Sequence, residues 1–357
     1  MAPGILILET GEMFPGEWGG GEPRAGEVVF NTSHSGYEEI ATDPSYFSQI
    51  LVMTAPQQGN YGVSDEVWES DRMWIKGFVC LEMQSPRLEK SWRERLERNQ
   101  VPLLTRVDTR RLVLRLRDKG VVWGAIVPRS GNSKSLALDL IRKGKKKPKD
   151  WTAAVSVKVM QDFKGEKETG PKVALIDFGY KKNILRELLK RCSYIRIFPS
   201  QSDIQDIKRW EPDGILLSNG PGDPADVKKG SELVKKLMGW KFIFGICMGH
   251  QILAQAVGAK NYKLKFGHRG GNHPIEDQLS SKIYMASQNH GYAVQENTLP
   301  KEVAVTHRNL NDQTVAGMFS KKNHFLGVQF HPESHPGPRE SGALFDLFMK
   351  KIKENAS

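Results

Sequence analysis

In the second half of the chain, short apolar runs alternate with apolar stripes at helical spacing. Val173–Asp177 (VALID) has the character of a strand buried on both faces. The next stretch places Ile184, Leu185, Leu188, Leu189 and Cys192 on one stripe, which predicts a helix. The same alternation continues with strands at Tyr194–Phe198, Gly214–Leu217 and Lys241–Ile246, and with helices near Ile204–Trp210 and Ser231–Met238. Such alternation predicts parallel βαβ units in an open sheet, whose ligands bind beyond the carboxyl ends of the strands. The first half is less regular. It carries strand-like pieces at Ile5–Leu8, Val28–Phe30 and Ile50–Met53, and a helix near Thr109–Lys119 in which Leu112, Val113 and Leu116 share a face and Asp108 is a suitable cap. Its pattern alone assigns no fold.

A basic stretch, Arg142 to Lys149, and a polar run, Gln161 to Gly170, bracket the junction between the halves. The expected organisation is therefore residues 1–150, a linker over 151–170, and 171–357. The 357 residues include 52 basic and 41 acidic side chains, a net charge of +11. That surplus would suit a nucleic-acid binder, an acidic partner or simple solubility, but no aromatic interleaving or recognisable nucleic-acid module accompanies the basic stretch. It reads as solvated linker, and no nucleic-acid partner is expected. Three cysteines without a CxxC pair argue against a disulfide-stapled or zinc-ribbon fold, and no metal is expected. The first residues carry no basic n-region, and the longest uncharged window, Phe242 to Ala259, reads as a buried strand and helix rather than a membrane span. A soluble, cytoplasmic protein is expected.

The strand at 241–246 runs into Gly245-Ile246-Cys247-Met248-Gly249, with an apolar helix after it. This is the cysteine counterpart of the G-x-S-x-G nucleophile elbow, in which a side chain at −2 or +2 would collide with neighbouring backbone. Three cysteines and 34 glycines would give about 0.03 such patterns by chance. A buried cysteine in a glycine-rich turn is the plainer alternative. As a nucleophile, Cys247 is expected to be uncovered, at a helix N-terminus that favours an anion. Cys80 and Cys192 suit core packing.

A thiol nucleophile needs a proton shuttle, and nine histidines are available. His331 ends the apolar run Phe325–Phe330 and is followed by Pro332 and Glu333, a spacing that lets a carboxylate orient the imidazole through its second nitrogen. His250, one turn beyond Cys247, is a local rival. His331 and His335 are four residues apart, but the adjacent prolines argue against a helical metal pair. Leu217–Pro224 (LSNGPGDP) follows a buried strand and offers backbone N–H donors in a rigid turn, suitable for an oxyanion. A phosphate loop or a plain turn are the alternatives there.

LSNGPGDP, GICMGHQ and QFHPE resemble, in order and spacing, the motifs of the class I (triad) glutamine amidotransferases. Two further runs, Phe266–Pro274 (FGHRGGNHP) and Gln288–Tyr292 (QNHGY), together with Glu27–Tyr46, extend the resemblance over nearly the whole chain to the small-subunit family of glutamine-dependent carbamoyl-phosphate synthetases. The fold it implies is α/β: a C-terminal open parallel-sheet class I amidotransferase domain with a nucleophile elbow, preceded by a separate, strand-rich N-terminal α/β domain that docks a large subunit. By the same resemblance, Cys247 is the nucleophile, His331 the general base and acid, and Glu333 its orienter. Backbone N–H groups of Gly220 and Met248 form the oxyanion hole. Ser45, Gly222, Gln251, Asn289, Gly291 and Tyr292 complete a glutamine pocket. Met248 and Tyr292 stand where the family more often has leucine and phenylalanine. No cofactor is implied on this chain; ATP and magnesium belong to the large-subunit partner. A free-standing γ-glutamyl hydrolase of the same fold and a non-enzymatic scaffold are the competing readings.

Overall fold

The computed structural model describes residues 2–86, 91–146 and 150–356, in two compact units that divide between residues 148 and 149.

The first unit is built on a closed barrel whose strands run in the order Ala2–Leu8, Met13–Trp18, Leu103–Thr105, Gly77–Val79, Gln49–Met53, Arg24–Asn31 and Val122–Pro128. Strand alternation gives it two apolar surfaces. Leu6 and Leu8 join Phe14, Val28, Ile50, Val52 and Ile126 in one cluster, against which Leu112 and Leu116 of helix Thr109–Lys119 pack. Ile5 and Ile7 point the other way, onto Ala137 and Ile141 of helix Ser133–Lys145. Asp108 caps the former helix by accepting from Arg111 N–H at 2.9 Å. The sequence read this half as strand-rich but missed the closure, because barrel pairing joins segments far apart in the chain.

The second unit is a sheet between two helical layers. Five strands are parallel, in the order Tyr194–Pro199, Lys172–Asp177, Gly214–Leu217, Phe242–Ile246 and Phe325–Val328. Their side chains alternate: Val173, Leu175, Ile197, Leu216 and Phe244 face helices Lys182–Leu189 and Ala343–Ala356, while Ala174, Ile176, Ile215, Leu217 and Ile243 face Ile204–Trp210, Lys228–Leu237 and Met248–Ala256. The expected parallel sheet is thus present, but the sheet is mixed. Beyond Phe325–Val328 it continues antiparallel through Val315–Ser320, Ala304–Asn309, Asn261–Asp277 and Lys282–Val294. These late strands are glycine- and histidine-bearing and only weakly alternating, so periodicity did not reveal them.

The expected linker is a second correction. Arg142–Lys145 is the last turn of helix Ser133–Lys145, and residues 147–149 lie outside the described residues. Gln161–Lys164 is an edge strand, antiparallel to Tyr194–Pro199. Gly165, Glu166 and Lys167 then donate backbone hydrogen bonds to Ser193, Leu189 and Cys192. Polar composition marked an edge strand here, which needs one apolar face at most.

The C-terminal helix closes one face. Phe348 is buried, with its ring centroid 5.5 Å from that of Phe244 and 6.3 Å from that of Phe242. Phe348→Ala should lower the stability of this unit by about 3–5 kcal/mol, read as a lower urea midpoint at unchanged slope. Lys350→Ala, on the exposed side of the same helix, should stay within about 0.5 kcal/mol.

Candidate active site

Four neighbouring strands end at one edge of the sheet, and each hands a functional segment to it. Leu217 pairs with Gly245, and Ile246 pairs with Val328. The Cys247 N–H donates to Val328 O at 2.8 Å, and the Gly249 N–H to Ser218 O at 3.0 Å. The 218–222 loop, Cys247 and the 329–333 run are therefore held together by backbone alone.

Cys247 has φ 52° and ψ −99°, a strained conformation for a residue with a Cβ. Two glycines allow it. A Cβ on Gly249 would stand 2.4 Å from Leu217 O, and one on Gly245 would stand 2.6 Å from Leu253 Cδ1 and 2.7 Å from the Gly249 carbonyl carbon. Helix Met248–Ala256 begins immediately after, so its first N–H groups, Met248 among them, lack intrahelical acceptors and face the same edge. Gly220 is equally constrained, since a Cβ there would lie 2.3 Å from Phe178 O. Gly222, with φ +94°, turns the loop beside Trp151.

His331 is held from two sides. Its N–H donates to Ser287 O at 2.9 Å, and its Nδ1 lies 2.6 Å from Glu333 Oε1. Behind Glu333 stands Lys181, with Nζ 3.2 Å from the same carboxylate oxygen and a further hydrogen bond to Ser334 O. Asn183 donates to the Glu333 carbonyl. All three ionisable side chains are buried. Burial by itself would depress the imidazole pKa, but the Glu333 carboxylate, and then Cys247, raise it to about 10. Burial would raise the Glu333 carboxyl, but the Lys181 ammonium and then His331 hold it down at about 2. The Glu333 carboxylate therefore favours the protonated form of the His331 ring. Cys247 is near enough to the ring to act on it, and among the described residues the ring's Nε2 has no other hydrogen-bond partner.

The sulfur is not uncovered, contrary to expectation: Cys247 is 2% exposed. The elbow turns its side chain under strand Lys282–Val294, where the thiol donates to Asn289 O at 3.6 Å. Gln251, one turn along the elbow helix, donates to Tyr292 O at 2.8 Å and to Gln329 Oε1 at 3.1 Å. The structure therefore brings Cys247, His331, Glu333, Gln251, Asn289 and Tyr292 into one contact network. Gly291 lies between the last two, and its Cβ position is 3.5 Å from Arg269 Nη2. Ser45 belongs to the first unit, in the short turn Pro44–Tyr46, where its N–H donates to Asp43 Oδ1 at 2.9 Å.

His250, the rival base, is buried against Gly327, whose Cβ position is 2.9 Å from His250 Nδ1; burial pushes its pKa down to about 3. Burial likewise pushes the Cys80 and Cys192 thiols up to about 12. Sequence reasoning missed Lys181, Asn183 and Gln329. A signal for the first two was present, because they follow the strand end at Asp177 on the ligand-binding edge. Gln329 sits inside QFHPE itself.

The sheet order, the cysteine elbow and the His–Glu pair at the adjoining strand end define a class I glutamine amidotransferase, and residues 174–351 match the family model "Glutamine amidotransferase class-I". Residues 6–126 match a second model, "Carbamoyl-phosphate synthase small chain, CPSase domain". The chain is 42% identical over 356 residues to the carbamoyl phosphate synthase small chain of Fusobacterium nucleatum, covering 98% of each. It is 43% identical over 350 residues to that of Clostridium perfringens, covering 97% of this chain and 98% of the relative. To the pyrimidine-specific small chain of Halalkalibacterium halodurans it is 40% identical over 356 residues, covering 98% of this chain and 97% of the relative. The chain belongs to the family of carbamoyl phosphate synthase small chains, the amidotransferase subunits of that ligase.

Glu333's depressed pKa contributes stability that is present above its unfolded value of 4.5 and lost as pH falls through about 2. His331's raised pKa contributes stability present below 6.5 and lost as pH rises through about 10. Lys181→Met leaves the buried carboxylate without its cation and should cost about 3–5 kcal/mol at pH 7. Urea unfolding across pH should show that deficit shrinking as pH falls from 4.5 toward 2.

Proposed function

We propose that this chain hydrolyses the side-chain amide of L-glutamine and delivers the ammonia to a carbamoyl-phosphate synthase large subunit. The observation that carries the proposal is the buried His331 imidazole beside Cys247, its Nδ1 on Glu333 and Glu333 on Lys181, a carboxylate that favours the imidazolium. A cation beside the sulfur compensates a thiolate and is itself the acid that a departing amine requires.

The Cys247 thiolate attacks the carboxamide carbon of glutamine. The resulting oxyanion is received by the N–H groups of Gly220 and Met248, a contribution of about 3 kcal/mol per donor in acyl transfer. The C–N bond then breaks, His331 gives its proton to the leaving nitrogen, and ammonia departs from a γ-glutamyl thioester. The now neutral imidazole takes a proton from water, whose oxygen attacks the thioester carbon. Glutamate leaves, the sulfur becomes thiolate again and His331 is once more an imidazolium. Water is the only co-reactant, so this chain's chemistry calls for no cofactor or metal.

Gln251 spends both side-chain N–H bonds on Tyr292 O and Gln329 Oε1, so it presents only its carbonyl oxygen to a ligand. That oxygen suits the α-ammonium group of glutamine. Asn289, Gly291 and Tyr292 supply backbone along the same wall, and Gly222 the opposite turn. ATP and magnesium enter on the large subunit, where ammonia and bicarbonate become carbamoyl phosphate for pyrimidine and arginine synthesis. A cytoplasmic location fits this role; among the described residues, no helix is long and apolar enough to cross a membrane.

With the large subunit present, Cys247→Ser should abolish glutamine-dependent carbamoyl phosphate synthesis, by at least about a thousandfold, while ammonia-dependent synthesis persists. Retained glutamine-driven turnover would overturn the proposal. Full glutaminase activity of the chain alone, unchanged by the large subunit, would favour a free-standing hydrolase instead.

A further inference from the structure

Gln329 is buried at 1% exposure, its side chain in direct contact with the nucleophile. Its backbone N–H donates to Ala316 O at 2.9 Å, which fixes the residue in the sheet beside strand Val315–Ser320. The side-chain Nε2 then lies 3.8 Å from Cys247 Sγ, and Oε1 lies 3.1 Å from Gln251 Nε2.

The orientation of this amide follows from a chain of acceptors and donors. Tyr292 O is a backbone carbonyl and can only accept, so the group that Gln251 turns toward it at 2.8 Å must be its NH2. The second N–H of that NH2 needs an acceptor, which makes the nearer end of Gln329 its oxygen. The far end of Gln329, the one facing the sulfur, is therefore a donor. Flipping either amide would set two acceptors or two donors against each other in a buried site.

Beside the His331 imidazole, the titratable group that acts on the sulfur, two uncharged polar groups touch it, and they favour opposite protonation states. Asn289 O, at 3.6 Å, accepts a hydrogen bond from the thiol and repels a thiolate. Gln329 Nε2 donates, and a donor binds the anionic sulfur more strongly than the neutral one. We infer that Gln329 is a further catalytic residue: its amide N–H holds the Cys247 sulfur in its reactive anionic form, with Gln251 fixing which end of the amide faces the sulfur. The inference rests on Cys247 being the nucleophile. It also ties the nucleophile to the substrate wall, because the same Gln251 that orients Gln329 presents its oxygen to the ligand.

The test is alkylation of the full-length chain by iodoacetamide at pH 7 and at pH 9.5, with labelled cysteines identified by mass spectrometry. An unchanged urea midpoint and slope mark variants that are folded. In Gln329→Leu the ratio of the pH 7 rate to the pH 9.5 rate at Cys247 should fall about tenfold, the effect of one hydrogen bond to a charged group. Gln329→Glu, nearly identical in shape, should lower the ratio at least as far, because an acceptor then faces the sulfur. In both, kcat for glutamine hydrolysis should fall with KM little changed. A ratio equal to wild type in Gln329→Leu would overturn the inference, even if turnover were reduced, since a purely structural role leaves the protonation of the sulfur alone. If Cys247→Ser is inactive and the ratio is unmoved, only the role of Gln329 falls. If Cys247→Ser keeps glutamine-driven activity, the proposed function falls with it.

Discussion

The close approach of Gly249 to the carbonyl of Leu217 is the contact on which the site depends. It lets the helix start so near the neighbouring strand Gly214–Leu217 that Cys247 takes a positive-φ turn, a conformation that costs about 1–3 kcal/mol. The strain persists because the surroundings over-determine it. The cysteine N–H is fixed to Val328 O, its carbonyl accepts from Gln251 N–H at 3.1 Å, and the turn is pinned to Ser218 O through Gly249. The same hydrogen bonds that hold the turn also bring the histidine strand and the 218–222 loop to it.

A second constraint is electrostatic. Lys181, Glu333 and His331 form a line of buried charges of alternating sign, each too costly to bury without its neighbour. The line ends at the sulfur, which is where a negative charge completes the alternation. Lys181 meets this line at Glu333, where its ammonium favours the ionised carboxylate. The surplus of positive charge carried by the chain plays no part in this compensation. Side chains such as Arg142, Lys143 and Arg196 lie in exposed pairs with Asp139 and Asp162, where solvent screens the attraction.

The motif reading found residues that the fold brings together because its constraints are local. G-x-C-x-G is legible since a tight strand-to-helix turn excludes side chains at two fixed offsets. His331 and Glu333 are legible because two residues of spacing is enough to let a carboxylate reach an imidazole. Gln329, inside the same QFHPE run, was passed over since its role exists only through Gln251 and Cys247, 78 and 82 positions away. Lys181 carried a weak signal, its place just after a strand that ends at the ligand edge, but its partner Glu333 lies far along the chain. The polar run at 161–164 was misread because an exposed edge strand and a solvated linker have the same composition.

The sequence by itself determined the alternation of strands and helices in the second half and the strand-to-helix cysteine elbow, because each is encoded within a few consecutive residues. Only the tertiary structure decided that the first half closes into a barrel, that the sheet extends antiparallel beyond the histidine strand, and that the sulfur lies covered between an acceptor and a donor. Those outcomes depend on backbone pairings between segments tens to more than a hundred residues apart. Such pairings leave no periodicity in the chain, since the groups that meet are main-chain N–H and C=O, which nearly every residue carries.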